Sequence, residues 1–198
     1  MKTALLALTG VLLASCGTYQ FAPATSFTVS ASTLNAGVSI TATTVTNSNG
    51  ATTTSFTPTY TPATITFQAA PGSMGGQITS VSVTHDVVTG TPSGGTAIDE
   101  TLPDTTMSVA AFVPAGETCN NPLPGPICPL TDSSTTPALG SPVQVQLNLI
   151  GQQAVTLSEQ NPGSSFTQTM DLTFSGVDTK GQSFSVSASN VSVSAYTQ

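Results

Sequence analysis

The 198-residue chain has no tryptophan and no arginine, and its two cations are Lys2 and Lys180. Charged residues make up 6% of it, against about 25% in an ordinary soluble domain. Proteins that grip nucleic acid neutralise phosphates with lysine and arginine, and this chain has none to spare. Binding through a basic patch to anionic lipid headgroups is disfavoured for the same reason. Nine acidic residues set the net charge at −7. The scarcity of lysine and arginine also removes trypsin-type cleavage sites, which suits life outside the cell. With three tyrosines and no tryptophan, little aromatic surface is available for stacking sugar rings, so a glycan site has no positive support. His85 is the single histidine, which limits base catalysis to one position. Helical periodicity is nearly absent after residue 16.

Serine and threonine are abundant instead, close to a third of the chain. Solubility therefore rests on hydroxyl groups. A bias toward Thr, Ser, Val, Gly and Pro favours strands and turns. Disordered chains carry high net charge and few β-branched residues, a description that does not fit most of this sequence.

The N-terminus begins with Met1-Lys2 and continues into an apolar stretch from Ala4 to Ala14. A membrane-spanning helix needs roughly 20 apolar residues, so this run is too short. A basic start, a short apolar segment and small residues at its end are the layout of a secretory signal. The stretch ends Leu13-Ala14-Ser15-Cys16, which resembles the lipobox of bacterial lipoproteins: an aliphatic residue, two small residues and a cysteine. The resemblance implies cleavage after residue 15 and attachment of lipid, including palmitate, to the Cys16 sulfur. Each buried methylene contributes about 0.8 kcal/mol, and one acyl chain holds only marginally; the two or three chains of the family give lasting attachment. Gly17 follows the cysteine, where aspartate would suggest retention in an inner membrane. An outer-membrane or cell-surface location is therefore expected.

If Cys16 carries lipid, Cys119 and Cys128 remain as a pair. Exported proteins meet oxidising conditions, so a disulfide between them is expected. The bracket "CNNPLPGPIC" encloses three prolines and a glycine, a rigid loop. Closing so small a loop contributes under ~3 kcal/mol, so the bridge shapes a loop more than it supports a fold. The spacing is not Cys-x-x-Cys and no histidine is near, which disfavours a redox or metal role.

Period-two alternation dominates the remainder. Val143, Val145, Leu147 and Leu149 alternate with polar residues; so do Met170, Leu172 and Phe174, and Met107, Val109, Ala111 and Val113. Strands are predicted at 63–69, 77–88, 105–113, 142–150, 166–176 and 182–196, with a seventh at 96–102. Val81, Val83 and Val87 share a face with His85 in this reading, placing Asp86 on the other. Phe184, Val186 and Ala188 occupy even positions but Val191, Val193 and Ala195 odd ones. That phase change requires an extra residue near Ser189-Asn190, a β-bulge. Seven short alternating strands in this span predict an all-β fold, a two-sheet antiparallel sandwich. The likeness to the immunoglobulin class is architectural only, because the Cys–Trp–Cys core is missing; a small barrel is the alternative. The expected organisation is a signal peptide at 1–15, a lipidated tether at 16–24, accessory strands or a stalk at 25–61, and the sandwich at 62–198.

Chemistry-bearing motifs are sparse. Nucleophilic catalysis needs a base beside the nucleophile, and neither a Gly-x-Ser-x-Gly elbow nor a partner for His85 is legible. Asp99, Glu100 and Asp104 cluster around "IDETLPDT" and are weak candidates for calcium or for paired carboxylates of sugar hydrolysis. Their spacing matches no EF-hand loop. Asp171 and Asp178 fall on an outward strand face and in a turn. No catalytic residue and no cofactor is assigned. The expected function is a non-enzymatic envelope lipoprotein, structural or protein-binding, with partners among envelope proteins or glycans; a carbohydrate- or calcium-binding surface module is the alternative.

Overall fold

A computed structural model describes residues 25–33, 35–119 and 135–197. The expected signal peptide and tether, with Cys16, and Cys128 lie outside the described residues, and of Cys119 only the backbone is described. In chain order the elements are β1 (Phe27–Ser32), β2 (Gly37–Thr46), β3 (Thr52–Thr61), β4 (Ala63–Ala69), β5 (Gly76–Gly90), β6 (Ile98–Thr101), β7 (Thr105–Val113), β8 (Glu117–Cys119), β9 (Thr135–Pro137), β10 (Val143–Leu147), α1 (Gln152–Gln160), β11 (Ser165–Asp178) and β12 (Ser183–Thr197). Each of the seven strands read from the alternation has its counterpart. β10 is shorter than the 142–150 run.

Two sheets form the sandwich. The smaller has the order β1-β4-β10, and the larger runs β3-β2-β12-β11-β5-β6 with β7 also on β5. Between them β4 contributes Ile65 and Phe67, β5 Ile78, Val81 and Val83, and β11 Met170, Leu172 and Phe174, all buried. Two edge-to-face aromatic pairs sit in this layer, Phe67 against Phe174 and Phe27 against Phe184, each with ring centroids 4.8 Å apart. The large sheet does not close: β3 ends it on one side, and β6 and β7 on the other. The molecule is thus a sandwich and not a barrel. β8 and β9 form a separate two-stranded ribbon.

The pairing is antiparallel with one exception. β2 runs parallel to β12, Gly37 opposite Ser194 through Ile40 opposite Thr197. Gly37 has φ +138°, and a Cβ there would collide with the Ser194 carbonyl oxygen. Only glycine permits that approach.

Segment 25–61 supplies β1 to the small sheet and the β2–β3 hairpin to the large one. Only Gly37–Ile40 pair with β12, so the hairpin extends past the body as a ribbon exposed on both faces. A backbone bond from Asn47 to Ala51 closes it. Hydrogen-bonded and non-hydrogen-bonded pairs alternate from that point, which places Pro58, opposite Ile40, in a non-hydrogen-bonded pair. Its missing N–H therefore faces the open edge and removes no bond from the ladder. The 3.0 Å approach of the Thr44 and Thr54 hydroxyls fits the close spacing of such pairs.

The bulge expected near Ser189-Asn190 is present. The β11–β12 register shifts between Met170 and Leu172, and Asn190 is left-handed at φ +57°. Helix α1 departs from the expectation of a helix-free chain. It buries Ala154, Val155 and Leu157 against Val38, Ile40, Phe166 and Ala195, a second core at one end of the large sheet. Nine residues are too few for an isolated helix, so packing holds it. The Thr197 hydroxyl donates to the Ser158 carbonyl at 2.7 Å, and the Asn161 side chain donates to the Leu157 carbonyl at its C-terminus.

Candidate functional site

One edge of β5 is covered in two pieces. β6 pairs with Val87–Gly90, and β7 pairs with Gly76–Val83. Between them lies 102–104, where Pro103 cannot donate to a ladder. Leu102 alone keeps contact, its N–H donating to the Asp86 carbonyl at 2.7 Å. Opposite this break β5 bulges: its register with β11 steps from Val87 to Thr84 while β11 advances only from Thr169 to Asp171. His85 takes a left-handed φ of +49°.

The bulge inverts the face assignment expected from alternation. His85 does not share the buried face of Val81 and Val83; its side chain is 85% exposed. Asp86 turns inward and is only 6% exposed. Val81 and Val83 are buried at odd positions and Val88 at an even one, but the apolar Val87 beside it conceals the phase change in the sequence.

Asp86 is met by Gln168 of β11, whose Nε2 donates to both carboxylate oxygens at 2.8 Å. Gln168 is itself buried, and its Oε1 accepts the Gly151 N–H at 2.7 Å. That backbone bond fixes which end of the amide faces the aspartate. Glu100, on β6, accepts from Gln153 Nε2 at 3.0 and 3.2 Å. The two carboxylates line one cleft of about 440 Å³, floored by Val83, Leu102, Met107 and Leu149. Its size falls within the ordinary range of small-molecule pockets, about 300–1,000 Å³. Each carboxylate is thus held by a glutamine amide, one from the start of α1 and one from β11.

Burial pushes the Asp86 carboxyl above its ordinary value of 3.8, with the Gln168 hydrogen bond opposing the rise. A carboxyl raised by folding stabilises the native state while protonated. That contribution is complete below about 3.8 and fades as pH rises through the higher native value. The stability of Asp86→Asn relative to the parent should therefore fall on acidification from pH 7 toward pH 4, as measured by urea denaturation of both proteins at each pH. A relative stability that stays flat or rises over that range would contradict the burial argument.

Asp171 and Asp178 behave oppositely. The Asn190 N–H, donating at 2.9 Å, is the main cause that holds Asp171 below its ordinary value, with His85 assisting. His85 Nδ1 lies 3.1 Å from the second Asp171 oxygen. Asp171 thus ties together the two left-handed residues on its flanking strands. Asp171 is the one hydrogen-bond partner of the His85 ring among the described residues. Asp178 is lowered chiefly by the Gln182 N–H, then by Lys180, as it caps the β11–β12 turn. Both support the fold above pH 3.8 and lose that role as pH falls through their native values.

The acidic trio read from the sequence is not brought together. Asp99 and Glu100 are adjacent on β6 and face opposite ways; Asp99 is exposed, and Asp104 lies exposed beyond Pro103. Among the described residues no three metal-capable side chains converge. Glu100 is the member that lines the cleft. Asp86, Gln168 and Gln153, which complete it, were not among the site residues expected from sequence. Backbone pairing of Cys119 with Thr135 brings the two ends of 120–134 together.

No protein-family model matches the chain, and no curated protein does.

Proposed function

We propose that the chain is a lipid-anchored cell-envelope protein whose immunoglobulin-like sandwich binds a partner and catalyses no reaction. The observation that carries the anchor is Leu13-Ala14-Ser15-Cys16 directly after a short apolar run. Support for a binding role comes from the open side of β3. Its outward backbone groups at Thr52, Thr54 and Phe56 have no partner strand among the described residues, and addition of a strand to such an edge is a common recognition mode. No charged side chain occurs between residues 3 and 84, so this edge presents neither the lysine nor the acidic groups that commonly guard exposed strands. Pro58 is its one guard.

Among the described residues no helix is long and apolar enough to cross a membrane, and the proposed attachment rests on Cys16 alone. Separating cells into soluble, inner-membrane and outer-membrane fractions tests the reading. The protein is expected with the outer membrane; recovery from the cytoplasm would overturn it.

The Cys119–Cys128 bridge belongs to the same reading, since only an exported chain would oxidise it. Intact mass under denaturing alkylation, with and without prior reduction, checks it. Two alkyl groups on Cys119 and Cys128 should appear only after reduction. Alkylation without reduction would refute the bridge.

A further inference from the structure

We propose that the cleft between β6, β7 and the start of α1 binds a primary ammonium group on a short aliphatic body. The inference stands on the cleft alone and does not require the lipid anchor.

The cleft supplies two carboxylates and no counter-charge. An ionised carboxylate offers about four acceptor sites, and among the described residues Asp86 meets one side-chain donor group, the Gln168 amide, although it is only 6% exposed. Among the described residues Glu100 likewise meets only the Gln153 amide. A buried carboxylate without a cation is costly, and a ligand that brings one relieves it. No lysine lines the cleft, and Lys180, the one lysine among the described residues, lies in the β11–β12 turn, where its backbone N–H donates to Asp178.

The other ligand classes fit less well. Anions meet two carboxylates and a net charge of −7. Sugars favour an aromatic platform, and none of the lining residues is aromatic. Metal ions need more converging ligands than the described residues provide. An alkylammonium matches both halves of the wall. Its charge faces Asp86 and Glu100, and its methylenes lie on Leu102, Met107 and Leu149. Both carboxylates are already held by amides, and that of Gln168 is itself anchored by the Gly151 N–H, so less ordering remains to oppose binding.

The source of the ammonium is either a free amine or the lysine side chain of a peptide. The test uses the full-length protein, isotopically labelled and purified in detergent, with the side-chain amide resonances of Gln153 and Gln168 as reporters. It is titrated with n-butylammonium chloride, with 1-butanol as the uncharged counterpart, and with acetyl-Ala-Lys-Ala-amide. Butylammonium should give saturable shifts that butanol does not reproduce. Asp86→Asn and Glu100→Gln should each weaken binding roughly tenfold or more, the scale of one hydrogen bond to a charged group. Tighter binding of the peptide than of butylammonium would assign the site to lysine side chains, and the reverse order to free amines; either supports an ammonium site. Equal effects of butanol and butylammonium, or unchanged affinity in both variants, would overturn it. Since these readouts come from the cleft itself, they fail or succeed independently of where the protein resides.

Discussion

Phe174→Ala should destabilise the sandwich by about 3–5 kcal/mol, the range for truncating a buried phenylalanine. Phe174 is completely buried on β11, the strand with neighbours on both sides, β12 and β5. It faces Phe67 of the opposite sheet edge-to-face at 4.8 Å. Small domains are stable by only about 5–15 kcal/mol in total, so the variant loses a large share of its margin. Among the described residues the two sheets share no strand-to-strand hydrogen bonds, and side chains of this layer hold them face to face. Urea denaturation of the parent, of Phe174→Ala, of Phe67→Ala and of the double variant measures both the loss and the coupling. Coupling of about 0.5–1.5 kcal/mol is expected for an edge-to-face pair. Strict additivity would mean that the rings do not interact as described. The other aromatic pair offers a contrast. Phe27 and Phe184 are only partly buried, so truncation of either should have a smaller effect.

Cys16→Ser should move the protein from the membrane fraction to the soluble fraction almost completely. The reasoning is additive along a hydrocarbon chain. Each methylene contributes about 0.8 kcal/mol on burial, so two or three acyl chains hold a protein for far longer than one. Serine has no thiol to accept the lipid, no apolar spanning helix occurs among the described residues, and a chain of net charge −7 is repelled by anionic headgroups. Fractionation of cells making each form, followed by immunoblotting, measures the redistribution. Unchanged partitioning of the serine variant would show that attachment does not run through position 16.

The seven strands read from the alternation are legible because they expose alternate side chains, whereas β3, exposed on both faces, carries no such pattern. The residues of β11 between Phe166 and Phe174 alternate buried and intermediate without a break, and from Met170 onward the sequence reads the same way, Gln168 being the one polar residue at a buried position. The Ser189-Asn190 bulge was legible for a related reason: strong apolar residues on both sides of it report the change of face. At His85 the same device is concealed, because Val87 and Val88 are both apolar and either could point inward. Helix α1 was hidden by its length. Its apolar positions, 154, 155 and 157, are helically spaced, but a nine-residue segment is shorter than the window over which periodicity is distinct. The parallel β2–β12 pair joins residues far apart in the chain, and local pattern carries no information about it.

The cleft was illegible for the same reason as the parallel pair. Asp86 and Gln168 are 82 residues apart, and Glu100 and Gln153 are 53 apart. Asp99, Glu100 and Asp104 cluster by proximity along the chain. Strand geometry turns Asp99 away from Glu100 and brings Asp86 of a neighbouring strand to the cleft instead. Proximity in a β-strand is a poor guide to a shared site, because adjacent side chains face opposite sides.

Intact mass spectrometry of the protein extracted from membranes with detergent tests the anchor most directly. Lipid attachment predicts a mature chain that begins at Cys16, lacks residues 1–15 and exceeds its polypeptide mass by two or three acyl chains. A chain that retains residues 1–15, or one that begins at Cys16 with no added mass, would contradict it.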